Sequence, residues 1–291
     1  MRDSIEVNGM RRTYEVVGAA DSEPGRSLVM VFHGSGQTGA AHQKFTGRAY
    51  DALADSGAAV VVYPDGYRRK WNDARREISF AARKKNIDDV GLTRALIGRL
   101  ARSHRIDPGR VLAVGYSNGG LMVMRLVHET PELLAGAAVI AATMPEPEDF
   151  LLNDAPPAPL PVLLIHGTKD PIVGYGGGEK TWWAKKVFQT RGRSRSMPGT
   201  AAYFAARNGI TVQPATRSLP ASSRKTSVER TEYRQDGHPP VVLYTVHGGG
   251  HTVPGPVRSP AVLGRTNQDV QAARLVDDFF AVTEHGVARN G

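Results

Sequence analysis

The sequence of 291 residues contains no cysteine. This absence excludes disulfide bonds, a cysteine nucleophile, zinc sites with cysteine ligands and iron–sulfur clusters. The sequence also lacks any run of about 18 apolar residues, so it predicts no transmembrane helix. Residues 1–7 are polar and lack the apolar segment of a signal peptide. We therefore expect a cytoplasmic location, or secretion if a leader has been removed.

The hydrophobic fraction of 41% is typical of a folded protein and excludes a wholly disordered chain. The length suits one large α/β domain or two small ones. No internal repeat and no strong linker divides the sequence. We interpret residues 1–291 as a single domain. Its stretch 174–198, rich in glycine, arginine and aromatic residues, is predicted to form a lid or a substrate-binding insertion.

The formal net charge of +9 is distributed unevenly. Lysine and arginine are concentrated in 68–85 and again in 179–195, where few acidic residues accompany them. We interpret both stretches as solvated loop surfaces, with the steering of an anionic substrate as an alternative. The charge pattern does not match the footprint of nucleic-acid-binding proteins, so no nucleic-acid partner is predicted.

Short apolar runs alternate with longer helical patterns along the chain. This alternation is typical of a mostly parallel sheet with helices on both faces. The predicted strands, of which the first two form a hairpin, are Ile5–Val7, Arg12–Val17, Leu28–Phe32, Ala59–Tyr63, Val111–Val114, Ala137–Ala142, Val162–Ile165, Ser227–Arg234 and Val241–Val246. The predicted helices are Arg48–Ser56, Asp88–His104, Asn118–His128, Gly199–Arg207 and Asn267–Val282.

A G-x-S-x-G pattern stands between a predicted strand and a predicted helix, as Gly115-Tyr116-Ser117-Asn118-Gly119. A nucleophile elbow requires this strand–turn–helix setting, with small residues on both sides of the serine. Ser117 is therefore the predicted nucleophile. The backbone N–H of Asn118, at the start of the helix, is a predicted oxyanion donor.

A serine nucleophile needs a histidine base, and the histidine needs a carboxylate that orients it. In this type of fold the three residues follow in the order serine, acid, histidine, on loops after successive strands. Asp170 follows the strand at 162–165, and His251 follows the strand at 241–246 through three glycines. The order and placement predict Asp170 as the acid and His251 as the base.

Other residues compete for these roles. His247 is an alternative base, although its position at a strand end favours a structural role. His166 is interpreted as a hydrogen-bonded turn residue. Asp65 is interpreted as a turn residue, and the remaining acidic alternatives, Asp88 and Asp89, as helix-capping residues.

The second oxyanion donor is expected in the loop after the strand Leu28–Phe32, where the sequence reads His33-Gly34-Ser35-Gly36-Gln37. The backbone N–H of Ser35 is the preferred donor. Those of Gly36 and Gln37 are the alternatives.

Seven ordered stretches resemble one family of esterases. They are HGSGQTG (33–39), YPDG (63–66), WND (71–73), DDVGLTRALI (88–97), GYSNGGLMVMRL (115–126), PVLLIHGTKDPIVGYGGG (161–178) and GGGHTVPG (248–255). With them the chain resembles the polyhydroxybutyrate depolymerase-like esterases, a group of α/β-hydrolases that includes feruloyl and acetyl-xylan esterases. The resemblance implies a Ser117–Asp170–His251 triad that hydrolyses carboxylic esters. The family often has cysteine at the position of Ser35 and glycine at that of Ala74.

Polar and aromatic residues near the predicted active-site loops are the candidates for substrate contact. Aromatic rings there either stack on a sugar or phenolic acid or cap the core. The candidates are Gln37, Trp71, Asn72, Tyr116, Tyr175, Trp182 and Trp183.

The predicted function is hydrolysis of short-chain, feruloyl or acetylated-carbohydrate esters through an acyl-enzyme. A polyester depolymerase is the first alternative, an acyltransferase or serine peptidase the second, and a basic binding module the least favoured. No metal site and no cofactor are predicted. The expected partner is a small or polymer-linked ester, and the oligomeric state is left open.

Overall fold

A computed structural model describes residues 1–20, 23–152, 154–179 and 192–283. Trp182 and Trp183, and with them much of the predicted lid at 174–198, lie outside the described residues. The described ends of that stretch form a small antiparallel pair, in which β8 (Gly178–Glu179) pairs with β9 (Arg193–Ser194). None of the helices in the described ranges combines the length and hydropathy that crossing a membrane requires.

The described residues form a ten-stranded sheet in the order β1-β2-β4-β3-β5-β6-β7-β12-β11-β10. Its strands are β1 (Arg2–Val7), β2 (Met10–Val17), β3 (Arg26–Phe32), β4 (Ala59–Pro64), β5 (Ile106–Tyr116), β6 (Gly136–Ile140), β7 (Val162–Gly167), β10 (Ala215–Ser218), β11 (Ser227–Tyr233) and β12 (Val241–His247). The six central strands, from β4 to β12, are parallel, and antiparallel strands flank them on both sides. Central strands such as β3 and β4 are wholly buried, which explains their continuous apolar sequences.

Helices cover both faces of the sheet. They are α1 (Gly39–Phe45), α2 (Ala52–Asp55), α3 (Ala81–Lys84), α4 (Asp89–His104), α5 (Asn118–Glu129), α6 (Met197–Arg207) and α7 (Ala272–Phe280). Alternate residues of β3 enter two separate apolar cores. Met30 packs on the side of α4, α5 and α6, whereas Val31 packs on the side of α2 and α7. The predicted α/β-hydrolase architecture is confirmed.

Two predicted helices are shorter in the structure. In the stretch predicted as a helix over 48–56, only α2 forms, because Gly47 and Arg48 both adopt positive φ, 65° and 59°, and the chain there turns. The helix predicted from 267 begins at Ala272 instead. The side chain of Asn267 accepts hydrogen bonds from the backbone N–H groups of Asp269 and Val270, so it stabilises a turn before the helix. The sequence analysis also missed α1, α3 and β10.

The predicted site residues converge at one edge of the sheet. The loops that carry them follow β3, β5, β7 and β12, and these strands are parallel. Ligand sites in open α/β sheets lie at the carboxyl ends of the strands. The topology therefore brings together loops that are far apart in sequence.

Candidate active site

Ser117 occupies a sharp turn between β5 and α5. Its φ is 54° and its ψ is −116°, and its N–H donates to the Ile140 carbonyl at 2.8 Å. A non-glycine residue with positive φ is uncommon, and such strain costs about 1–3 kcal/mol, so the surrounding structure must enforce it. This conformation is the one that a nucleophile elbow uses to present its side chain.

The two glycines beside Ser117 allow backbone segments to touch. A Cβ placed on Gly115 would lie 2.2 Å from the Gly119 carbonyl oxygen, and one on Gly119 would lie 2.1 Å from the Phe32 carbonyl oxygen. Both neighbours are backbone atoms that cannot rotate away. The elbow therefore packs directly against the end of β3, from which the loop of Ser35 begins.

We expect Gly119→Ala to lower the free energy of unfolding by about 3 kcal/mol, because the new methyl group would force two backbone segments apart. The matched control is Gly98→Ala in α4, where a Cβ would meet only the Arg102 side chain at 3.6 Å. This control should raise the stability by up to about 1 kcal/mol through helix propensity. Urea denaturation of both variants measures the effect. Equal stability of the two would contradict the packing argument.

The structure brings the three predicted catalytic side chains together. His251 Nε2 lies 2.9 Å from Ser117 Oγ, and His251 Nδ1 lies 2.7 Å from Asp170 Oδ2. A carboxylate only accepts hydrogen bonds, so Nδ1 carries the proton and Nε2 is left to accept from the serine hydroxyl. The other oxygen of Asp170 accepts from the backbone N–H groups of Ile172 and Val173, both at 2.8 Å.

The environment of Asp170 favours its charged form. Burial raises the pKa of this carboxyl, but the charge and hydrogen bond of His251, the charge of His166 and the Val173 N–H lower it by more. The pKa of Asp170 therefore lies below its usual value. The group stays a carboxylate at neutral pH and can keep orienting the imidazole.

The backbone of His251 is fixed at both of its polar groups. Its N–H donates to the Leu263 carbonyl at 2.7 Å, and its carbonyl accepts from the Tyr116 hydroxyl at 2.7 Å. The preceding Gly250 has no room for a side chain, since a Cβ there would lie 2.1 Å from the Leu263 oxygen. Gly250 therefore serves the close packing of this loop against Leu263.

The competing histidines have other contacts. His247 is half exposed, and its Nε2 lies 3.8 Å from Glu229. His166 Nε2 donates to the Val173 carbonyl at 2.8 Å and lies 3.4 Å from the Asp170 carboxylate. His166 is hydrogen-bonded as predicted, but it lies within β7 rather than in a turn, and it also adjoins Asp170.

Among the predicted oxyanion donors, the backbone N–H groups of Ser35 and Asn118 donate no hydrogen bond within the described ranges. The alternatives in the same loop are occupied, because Gly36 N donates to the Arg69 carbonyl and Gln37 N donates to the Gly34 carbonyl. Of the three donors that the sequence left open after β3, Ser35 is therefore the available one. Its pairing with Asn118 matches the backbone pair that an oxyanion hole requires.

Four predicted substrate-contact residues form side-chain hydrogen bonds within the protein. Trp71 is fully buried, and its indole N–H donates to the His33 carbonyl at 2.9 Å. Asn72 is buried and donates to the Ile87 carbonyl at 3.0 Å.

Tyr116 is also buried, with its hydroxyl on the His251 carbonyl, and Gln37 turns back to accept from Gly34 N at 3.2 Å. Trp71, Asn72 and Tyr116 therefore support the loops from the interior, which for the two aromatic residues is the core-capping alternative. Gln37 is partly exposed, and its substrate contact stays a prediction. Tyr175 is half buried, and its hydroxyl lies 2.8 Å from Thr245 Oγ1. A substrate contact for Tyr175 stays a prediction.

The basic stretch 68–85 is not uniformly a solvated surface. Arg75 forms a buried ion pair with Asp73 at 2.5 Å, and Arg83 donates to the carbonyls of Asp73 and Arg75. The sequence analysis missed the structural role of Asp73. Its position in the stretch WND, beside a dense run of arginines that need counter-charges, was the available signal.

A small pocket lies beside the elbow. Leu121, Ala142, Pro145 and Val173 contribute apolar walls, and the cavity that they help to enclose has a volume of only about 20 Å³. Leu121 belongs to the first turn of α5, and the N–H of Val173 binds the Asp170 carboxylate. The pocket is therefore close to both ends of the hydrogen-bonded series Ser117–His251–Asp170. The described residues include no group of three acidic or histidine side chains arranged to hold a metal ion.

Comparisons with known proteins show the family to which the chain belongs. The family model described as phospholipase/carboxylesterase matches residues 13–207. The chain is 32% identical over 289 residues to "Putative esterase NocK" of Nocardia uniformis subsp. tsuyamanensis, with 95% of this chain and 81% of the relative covered. It is 28% identical over 218 residues to feruloyl esterase B of Piromyces equi, with 73% of this chain and 37% of the relative covered.

The fold is similar to that of the acetyl xylan esterase from Aspergillus awamori. The TM-score is 0.64 at 13% identity, and the alignment covers 97% of this chain and 99% of that one. The predicted resemblance to this group of esterases is confirmed. The chain belongs to the phospholipase/carboxylesterase family and is a carboxylesterase with an α/β-hydrolase fold.

Proposed function

We propose that the chain hydrolyses carboxylic esters through a Ser117–His251–Asp170 triad and an acyl-enzyme intermediate. The observation that carries this proposal is the continuous hydrogen-bonded chain from Ser117 Oγ through the imidazole to the Asp170 carboxylate. The strained backbone at Ser117 and the two unpaired N–H groups of Ser35 and Asn118 support it.

In the acylation step, His251 Nε2 takes the hydroxyl proton while Ser117 Oγ attacks the ester carbonyl carbon. The negative charge moves to the carbonyl oxygen, where the N–H groups of Ser35 and Asn118 stabilise it. One such donor is worth about 3–4 kcal/mol in comparable sites. When the tetrahedral intermediate collapses, His251 gives its proton to the leaving alcohol, and the acyl group stays on Ser117.

Deacylation repeats these steps with water. His251 removes a proton from the water molecule, the hydroxide attacks the acyl carbon, and Ser117 recovers its proton from the imidazole as the acid leaves. Throughout, Asp170 stabilises the positive imidazolium. Its pKa, lowered by His251 and the nearby N–H groups against the effect of burial, suits this role.

Short acyl groups are the proposed acyl substrates. With a cavity volume of about 20 Å³, the pocket beside α5 is far smaller than the about 300–1,000 Å³ of typical small-molecule sites, so it admits only a small group. Leu121, Ala142 and Val173 give it an apolar lining suited to a short alkyl chain. The similarity to an enzyme named for acetyl xylan favours a carbohydrate as the alcohol part. Acetylated carbohydrate is thus the leading natural substrate.

We expect kcat/KM to be highest for p-nitrophenyl acetate and butyrate and at least about tenfold lower for the octanoate, because the pocket lacks room for the longer chain. Leu121→Ala should raise the octanoate activity relative to acetate by removing one wall. Val127→Ala is the matched control, since Val127 is buried on the same helix and does not line the described pocket.

The same assay should include methyl ferulate, acetylated xylan and a polyhydroxybutyrate film. Absence of turnover on all esters by folded protein would refute the proposed function. An acyl-length preference that Leu121→Ala leaves unchanged would place the acyl group outside this pocket. Dominant activity on the film would favour the depolymerase alternative.

A further inference from the structure

The side chain of Asn118 is held from two sides by one loop. Its Oδ1 accepts from the backbone N–H of Trp71 at 2.9 Å, and its Nδ2 donates to Asp73 Oδ2 at 2.6 Å. Only 3% of Asn118 is exposed. Every polar atom of this side chain is therefore directed away from solvent and into residues 71–76, which we term the Asp73 loop.

Asp73 is a fully buried carboxylate whose partners are all donors. Oδ1 accepts from the backbone N–H and Nε of Arg75, both at 3.0 Å. Oδ2 accepts from Arg75 Nη2 at 2.5 Å and from Asn118 Nδ2. The bidentate pair with Arg75 neutralises the carboxylate and fixes its orientation.

The Asp73 loop is itself fixed to the protein by backbone contacts. Ala74 N donates to the Leu121 carbonyl at 3.2 Å, and Ala74 O accepts from Leu151 N at 2.8 Å. Arg83 donates to the Asp73 carbonyl at 2.5 Å. Asp73 is therefore held in a fixed position and can fix the position of a second side chain.

We propose that Asp73 is a positioning residue for the oxyanion donor Asn118. The Asp73 carboxylate fixes the Asn118 side chain and thereby the backbone N–H of the same residue. This N–H donates no hydrogen bond in the described structure. This inference rests on the proposed function. Donors of an oxyanion hole act because they are already aimed at the place where charge develops, and small displacements reduce their effect. The Arg75 guanidinium offsets the negative charge of Asp73, which would otherwise oppose the oxyanion.

The test uses Asp73→Asn. An amide has an acceptor at one end only, so its NH2 must face either Arg75 or the Asn118 amide, and both are donors. We expect kcat/KM for p-nitrophenyl acetate to fall about ten- to hundredfold with KM nearly unchanged, less than for complete loss of one donor. The affinity for an alkyl boronic acid, whose tetrahedral adduct on serine places an oxygen in the hole, should fall by the same factor.

Asp51→Asn is the matched control. Asp51 accepts from Gln43 Nε2 with both carboxylate oxygens and from the Tyr63 hydroxyl at 2.7 Å, so the same donor conflict arises. It makes no hydrogen bond to Asn118 or to the Asp73 loop in the described structure. We expect Asp51→Asn to lower Tm but to change boronic acid affinity less than threefold.

A second variant covers the case in which Asp73→Asn does not fold. Asn118→Ala keeps the backbone N–H of residue 118 and the Asp73–Arg75 ion pair. It removes the hydrogen bond from the residue 118 side chain to Asp73. It should reproduce the parallel loss of kcat and boronic acid affinity, and the double variant should lose little more than either single one.

Wild-type boronic acid affinity in a folded Asp73→Asn protein would overturn the inference, as would independent, multiplicative effects in the double variant. A wild-type protein that neither hydrolyses esters nor binds the boronic acid would instead refute the proposed function.

Discussion

Ser117→Ala is expected to reduce kcat on p-nitrophenyl acetate by about 10⁴- to 10⁶-fold, because the acyl-enzyme can no longer form. The N–H groups of Ser35 and Asn118 remain in the variant, so a small residual rate above that of water is expected. Steady-state kinetics at saturating substrate measures the loss. The circular dichroism spectrum should be unchanged, since alanine removes only the hydroxyl.

Ser103→Ala is the control for this experiment. Ser103 is an exposed residue in the last turn of α4, with its hydroxyl on the Arg99 carbonyl. The activity of the Ser103→Ala variant should equal that of the wild type. A fluorophosphonate should form a single adduct on the wild-type chain, on the peptide that contains Ser117, and none on Ser117→Ala. Full turnover by Ser117→Ala would show that the active site lies elsewhere.

Asp170→Asn is expected to reduce kcat by about 10⁴-fold without loss of the fold. The two backbone N–H groups of Ile172 and Val173 bind Oδ1, so the amide oxygen will occupy that position. The amide NH2 then faces His251 Nδ1 and makes this nitrogen the acceptor. The proton moves to Nε2, and the imidazole can no longer take the proton from Ser117.

Asp107→Asn is the matched control. Asp107 lies near the opposite end of β5 from Ser117, and its carboxylate accepts from Gly109 N at 2.8 Å. This substitution should leave kcat unchanged. NMR of the ring protons of His251 in Asp170→Asn should report the changed tautomer. A reduction smaller than about tenfold would contradict the assignment of Asp170 as the orienting acid.

Local sequence patterns were sufficient for the elements that carry the site. The buried central strands are continuous apolar runs, and the elbow needs small residues on both sides of Ser117, so both can be predicted from a few neighbouring residues. Asp170 and His251 could be predicted because each follows such a run on a short loop. Ser35 was already the preferred oxyanion donor from the sequence, and the structure adds that the alternatives Gly36 and Gln37 donate to the Arg69 and Gly34 carbonyls.

The open or wrong predictions concern side chains whose surroundings come from distant parts of the chain. For Trp71 the sequence left open substrate contact or capping of the core, and contacts with Phe32 and His33 decide for the core. The basic stretch 68–85 was expected in solvent, but Asp73 draws Arg75 into the interior. In both cases burial depends on tertiary contacts that sequence periodicity does not encode.

The contact of Gly119 with the Phe32 carbonyl bears on how this enzyme can change over time. Main chain packs there directly against main chain, close to both proposed oxyanion donors. Residues around the proposed acyl pocket, such as Leu121 and Val173, contribute no side chain to that contact. Laboratory evolution or natural drift can therefore exchange pocket side chains to admit new esters without disturbing this backbone contact.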